Sequence, residues 1–141
     1  MMKENFMFTS ESVTDGHPDK LCDQVSDALV DRFLQQDPFS RVIAECAVST
    51  GIMFIAARFA SSASIDIPAV ARQVIRQAGY EREDFNATDC TVMTSLLELP
   101  PLPYPHVDER EMDEEELESI TAKNQANVFG FACNQSAAMM P

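Results

Sequence analysis

The stretch FTSESVTDGHPDK, residues 8–20, passes from an extended segment through a polar turn into the start of a helix. Pro18 suits a first helical position, because an N–H there would be unpaired anyway and the ring fixes a helical φ. His17 then becomes the N-cap, and Asp19 and Lys20 fall in the first turn. Free N–H groups and the positive end of the peptide dipoles make a helix N-terminus attractive to anions such as phosphate. An imidazole, a carboxylate and an ammonium are thus gathered within four residues. The carboxylate can hold Mg2+, which takes few protein oxygens and relies on phosphates for others. The imidazole can donate to a bridging oxygen, and Lys20 can offset developing charge. Residue chemistry alone favours a plainer reading of the cluster: a capped helix, with Asp19 favouring the dipole and Lys20 in water.

Outward from this turn, the spacing predicts a helix from Pro18 to Gln36. Leu21, Val25, Leu29 and Phe33 repeat along one face, Asp23, Asp27 and Asp31 along another, and Asp37-Pro38 ends the run. The acidic row reads as a solvated face, with a cationic partner as the alternative. Residues 41–60, RVIAECAVSTGIMFIAARFA, read as two strands joined at Ser49-Thr50-Gly51. A two-residue loop at Thr50-Gly51 sets Glu45 opposite Ala56 and makes Arg58 its diagonal neighbour, so the two charges are expected to pair. Asp66 caps a second helix, with Pro68 in its first turn and Gly79 at C′. Its buried stripe is expected at Val70, Val74, Ile75 and Ala78, with Arg72, Gln73, Arg76 and Gln77 outward. Residues 90–97 form a last strand. The order β-α-β-β-α-β predicts an α+β two-layer sandwich, with helices on one face of a mixed sheet.

Beyond Leu99 the character changes. PPLPYPH lacks donors for a sheet, and DEREMDEEELE sets eight acids against Arg110, either as a short helix or without fixed structure. His106 reads as solvated. The expected domains are 1–99, a Pro-rich and acidic loop at 100–123, and a C-terminal segment at 124–141.

A 45% apolar share over 141 residues fits a soluble domain with its own core. No apolar run is long enough to cross a bilayer, and MMKENFMF has no signal pattern, so a cytoplasmic location is expected. Cys22, Cys46, Cys90 and Cys133 form no CxxC pair and read as reduced core thiols. A net charge of −13 argues against nucleic acid and anionic membranes, and makes the chain an awkward host for polyphosphate by itself.

FTSESVTDGHPDKLCDQVSDALVD, with its GHPDK and CDQ-SDA patterns, closely resembles the N-terminal signature of S-adenosylmethionine synthetase (methionine adenosyltransferase). The resemblance covers residues 6–78 and 90–94, lapses through the acidic segment and resumes at VFGFACNQSAAMMP, near the start of the family's next unit. It implies the first of three similar α+β units, transfer of the adenosyl group of ATP to the sulfur of L-methionine, and assistance by Mg2+ and K+. By the same resemblance His17 contacts the ATP triphosphate, with Lys20 beside it as the second catalytic position, Asp19 binds Mg2+ and Glu45 is associated with K+. Three methionine-side positions depart from the family: Arg58 replaces a glutamate, Leu99 a glutamine, and Asn124 an aspartate. The chain is about a third of a family member and lacks the later basic segments, which implies inactivity alone. The expected partner is a longer synthetase-like subunit or another copy of the chain. A non-catalytic regulatory or assembly subunit is the competing reading, and a stand-alone nucleotide-binding module is disfavoured by the charge.

Overall fold

The computed structural model describes residues 7, 9, 11, 13–83, 85–100, 112–119, 128, 130 and 131–140. They fall into two units, residues 13–106 and residues 1–12 with 107–141.

In the first unit, α1 (Pro18–Gln36) is followed by β1 (Arg41–Ser49), β2 (Ile52–Ala60), α2 (Ile67–Gln77) and β3 (Thr91–Glu98). β1 and β2 are antiparallel, β2 and β3 parallel, and the sheet order is β1-β2-β3. The mixed α+β sandwich expected from the sequence is therefore present. The leading strand of the expected order falls mostly outside the described residues; Met7, Thr9 and Glu11 belong to no strand.

Helix α1 forms where its periodicity places it. Leu21, Val25, Leu29 and Phe33 are buried, and Phe33 meets Phe59 of β2 at 4.9 Å between ring centroids. At its C-terminal end, Asp37 takes the Ser62 N–H on one oxygen and the Phe39 N–H on the other, which lowers its pKa and ties the helix end to the loop after β2. The hairpin register is the one predicted: Ser49 faces Ile52 and Glu45 faces Ala56. Alternation then sends Val42, Ala44, Cys46 and Val48 of β1, and Met53, Ile55 and Ala57 of β2, toward the helices. Thr50 carries the turn at φ 52°, an uncommon position for a β-branched residue.

Three expectations need correction. The sealed side of α2 is Ile67, Ala71, Val74 and Ile75, and Val70 and Ala78 are only partly buried. Arg72 does not face outward: its guanidinium donates to the carbonyls of Ala87 (2.7 Å), Thr88 (3.0 Å) and Cys90 (3.0 Å), fastening the chain entering β3 to α2. A long aliphatic stem lets a cation start on an outer helix position and still reach inward. All four cysteines are free, but only Cys90 is buried.

Cys46 lies on β1 against the helices. Burial, then the neighbouring Cys22 and Glu45, push its thiol up to about 12.

In the second unit, α3 (Glu114–Ser119) realises the short-helix alternative for the acidic segment. Asp113 and Glu116 cap it reciprocally, each side chain accepting the other's backbone N–H. A separate turn closes near the C-terminus, where Cys133 N–H donates to the Met139 carbonyl at 2.8 Å.

Leu29 is fully buried, so Leu29→Ala should lower unfolding free energy by about 2–5 kcal/mol; urea titration measures it. The Cys46 shift gives a second expectation. Below pH 9.0, the ordinary value, the thiol is protonated both folded and unfolded; above it the unfolded thiol ionises first, so stability should fall from there toward pH 12. Thermal melts compared with Cys46→Ala across that range isolate the contribution, and the wild type should lose more than the variant.

Candidate functional site

His17 is the N-cap of α1, with extended backbone (φ −72°, ψ 138°) and Pro18 next to it. Its Nδ1 accepts the Asp19 N–H at 3.1 Å. An accepting Nδ1 carries no proton, so the ring proton sits on Nε2, the nitrogen the cap leaves free to donate. The 3.9 Å approach of an Asp19 carboxylate oxygen to Nδ1 is therefore no ion pair in this tautomer. Asp19 is 85% exposed at its side chain and His17 44%, so both face water. Lys20 is half-buried beside them, and its N–H has no acceptor among the described residues.

The turn carrying this cluster is held from several directions. Leu21, the residue after Lys20, is fully buried, and its N–H bonds to the His17 carbonyl at 3.0 Å. His17 N–H closes the preceding turn on the Thr14 carbonyl. The Tyr80 hydroxyl donates to the Gly16 carbonyl, and the Tyr80 ring packs edge-on against Phe85 at 5.1 Å. Sequence reasoning missed Tyr80. Its signal was an amphipathic ring just past a helix C-cap, a side chain that seeks a partner for its hydroxyl, but no periodicity points it at residue 16.

The surroundings are acidic. Asp15, Asp27 and Asp31, with Gln24 and Gln77, line a groove of about 450 Å³ between α1 and α2. Asp19 and Asp23 also help burial raise the Cys22 thiol, opposed by the Val48 N–H.

The other singled-out residues lie elsewhere. Glu45 and Arg58 stand on the side of the sheet facing away from the helices, in a hollow of about 270 Å³ with Ile43 and Leu97. Their register is diagonal as expected, but they form no ion pair: Arg58 lies directly opposite Ile43, and the offset leaves each charge in water. Leu99 is half-buried and extends the ladder past β3, its N–H donating to the Phe59 carbonyl at 2.7 Å. Asn124 and His106 lie outside the described residues. Thus His17, Asp19 and Lys20 are brought together, while Glu45 and Arg58 form a separate group across the sheet.

Among the described residues no three His, Cys, Asp or Glu side chains converge as a metal cage. Asp19 fits Mg2+ in the limited sense that one exposed carboxylate at a helix N-terminus suits an ion that takes most of its ligands from water and phosphate. Glu45 fits K+ less well, since Arg58 shares its hollow and opposes a second cation.

Fold and turn together define a small α+β domain with an exposed, histidine-capped helix N-terminus. Residues 5–101 match the family model described as S-adenosylmethionine synthetase, N-terminal domain, and the chain belongs to that family. The curated S-adenosylmethionine synthase of Gloeothece citriformis is 41% identical over 147 residues, covering 99% of this chain. The chain spans 35% of that relative's length. No helix among the described residues is long and apolar enough to cross a membrane.

If Tyr80 positions the turn, Tyr80→Phe should lower unfolding free energy by about 1 kcal/mol, the usual worth of one hydrogen bond. Amide exchange at Gly16, His17 and Asp19 should quicken relative to the middle of α1. Unchanged exchange there would assign the turn's rigidity to the cap and Leu21 alone.

Proposed function

We propose that this domain supplies the magnesium–triphosphate end of an S-adenosylmethionine synthetase site that is incomplete without a second chain. The reaction would join ATP, L-methionine and water into S-adenosylmethionine, phosphate and diphosphate. His17 Nε2–H would donate to a bridging oxygen of the triphosphate, and Lys20 with the free amide of the first turn would face its negative charge. Asp19 would hold Mg2+, which when bound screens the phosphates and draws charge toward their oxygens.

One observation carries the proposal: an N-cap histidine whose free nitrogen, a bare carboxylate and a lysine share one restrained helix turn. The same arrangement argues for a partner. Around three phosphates a single lysine is too few cations, and Asp15, Asp27 and Asp31 stand nearby. Glu45 and Arg58 lie across the sheet and cannot reach the same ligand from one chain, whereas a site shared between chains can use both sides. The partner would be a longer synthetase-like subunit or another copy of this chain, in the cytoplasm, where four free thiols stay reduced. Glu45 would contact K+ only in an assembly that adds further oxygen ligands.

Arg58 and Leu99 favour a second reading, a non-catalytic assembly subunit. A guanidinium at Arg58 repels the ammonium of methionine, and Leu99 has an aliphatic side chain and a backbone N–H already bonded to the sheet.

The chain alone is expected to make no S-adenosylmethionine, and a mixture with a longer synthetase-like subunit should make it. His17→Ala should cut that rate by about a hundredfold or more, as loss of a proton donor to a reacting group does. A mixture that keeps its full rate after this change sinks the catalytic reading. Calorimetry then separates the two: tight ATP–Mg2+ binding to the assembly counts against a purely structural subunit.

A further inference from the structure

The peptide linking Gly16 to His17 is held at both ends. Its carbonyl accepts the Tyr80 hydroxyl, and its N–H donates to the Thr14 carbonyl at 2.9 Å. The next peptide is held too, because the His17 carbonyl accepts the Leu21 N–H at 3.0 Å. Peptide units are planar, so pinning the planes on either side of a residue fixes its φ and ψ, and with them the direction of its Cα–Cβ bond. At His17 these angles are −72° and 138°. The Asp19 N–H on Nδ1 then sets the ring.

These restraints differ in reach. Thr14, Asp19 and Leu21 are near neighbours of His17 in the chain and travel with it. Among the described residues, the Tyr80 hydroxyl is the hydrogen-bonding group from another part of the fold that reaches residues 13–17. Tyr80 is itself built in. Gly79 N–H donates to the Arg76 carbonyl (3.1 Å) and Tyr80 N–H to the Ile75 carbonyl (3.3 Å), the paired bonds of a Schellman motif closing α2. That motif needs a left-handed residue, supplied by Gly79 at φ 82°. The Tyr80 ring meets Phe85 edge-on, and Phe85 is buried. Backbone and ring together aim the hydroxyl at Gly16.

We propose that Tyr80 is a positioning residue: through the Gly16 carbonyl it sets where the Nε2–H of His17 points, and so the rate of the step at the triphosphate. A neutral hydroxyl on a carbonyl brings no charge to the ligand, so its loss leaves the electrostatics of Asp19 and Lys20 unchanged. Binding therefore survives while the alignment of the donor does not, and a misplacement of about 1 Å can slow a reaction about a hundredfold. The effect on rate rests on the proposed role of His17; the hold on its ring does not.

Tyr80→Phe removes the hydroxyl and keeps the ring. In the mixture with a longer synthetase-like subunit, kcat should fall about tenfold or more while KM for ATP stays within about twofold, the mark of an interaction made only in the transition state. A second readout needs neither partner nor nucleotide. The chain has two histidines, and long-range 1H–15N spectra of their rings distinguish the tautomers. His17 should be Nε2–H in the wild type, and Tyr80→Phe should bring in the Nδ1–H form as the Asp19 contact loosens. Phe33→Leu, buried in the last turn of α1, controls for lost stability alone and should move neither readout. Circular dichroism confirms that both variants are folded. An unchanged kcat, a rise in KM alone, an unchanged tautomer in Tyr80→Phe, or equal shifts in Phe33→Leu would overturn the proposal. A wild-type mixture that makes no S-adenosylmethionine refutes the proposed function instead, and the tautomer then decides by itself whether Tyr80 holds the ring.

Discussion

Everything else in the first unit hangs on the sealing of one helical stripe. Leu21, Val25, Leu29 and Phe33 are each at most 2% exposed, and they clamp α1 to the sheet along its whole length. Leu21 matters most for chemistry, because it lies in the first turn, where helices usually fray and leave their amides unpaired. Burying it fixes the direction of the neighbouring backbone N–H groups. The His17 cap and the Tyr80 hydrogen bond act on the same few residues, so three independent restraints converge on one turn. A site that must meet a multiply charged ligand without reorganising gains from such restraint, since ordering loose groups at the moment of binding costs affinity.

Electrostatics pulls the other way. A helix N-terminus contributes about half a positive charge, and Lys20 adds one. Against them stand Asp15 and Asp19 within the turn itself and a net charge of −13 over the chain. A triphosphate approaching this surface meets a favourable point set in an unfavourable field. In the proposed site a divalent cation on Asp19 would reverse the local sign, so the carboxylate that is a liability beside an anion would become the residue that reconciles the two. It does not supply the breadth of positive charge that three phosphates need.

How much of this was legible in the sequence depended on the reach of each interaction. α1, its cap and its buried face were readable because a period near four and a His-Pro boundary are local. The hairpin register followed from two turn residues, since a loop of fixed length leaves one alternation free. The Glu45–Arg58 pairing failed although its register was right: register fixes backbone positions, while a flexible guanidinium chooses its own partner, and a diagonal neighbour in water offers it little. Arg72 and Tyr80 were illegible for a related reason. Their partners lie 15 or more residues away in sequence, at carbonyls whose exposure is set by how chain segments meet. The sealed α2 stripe takes in Ile67 and Ala71 where Val70 and Ala78 were expected, a rotation of the helix that apolarity alone does not reveal.

The two unfinished features of the domain are physically separate, and this constrains what can complete them. The turn at His17 is poor in positive charge; the far side of the sheet leaves large apolar side chains exposed. Three strands with helices on one side make a two-layer structure, and Phe54, Met93 and Leu97 stay exposed on the bare face. A group on that face would reach the turn at His17 only by extending past an edge of the sheet, because the sheet and α1 stand between them. Covering the sheet and clamping the phosphates are therefore distinct tasks. The first is a matter of apolar area, while the second calls for cations that this acidic chain does not hold near its own helix terminus.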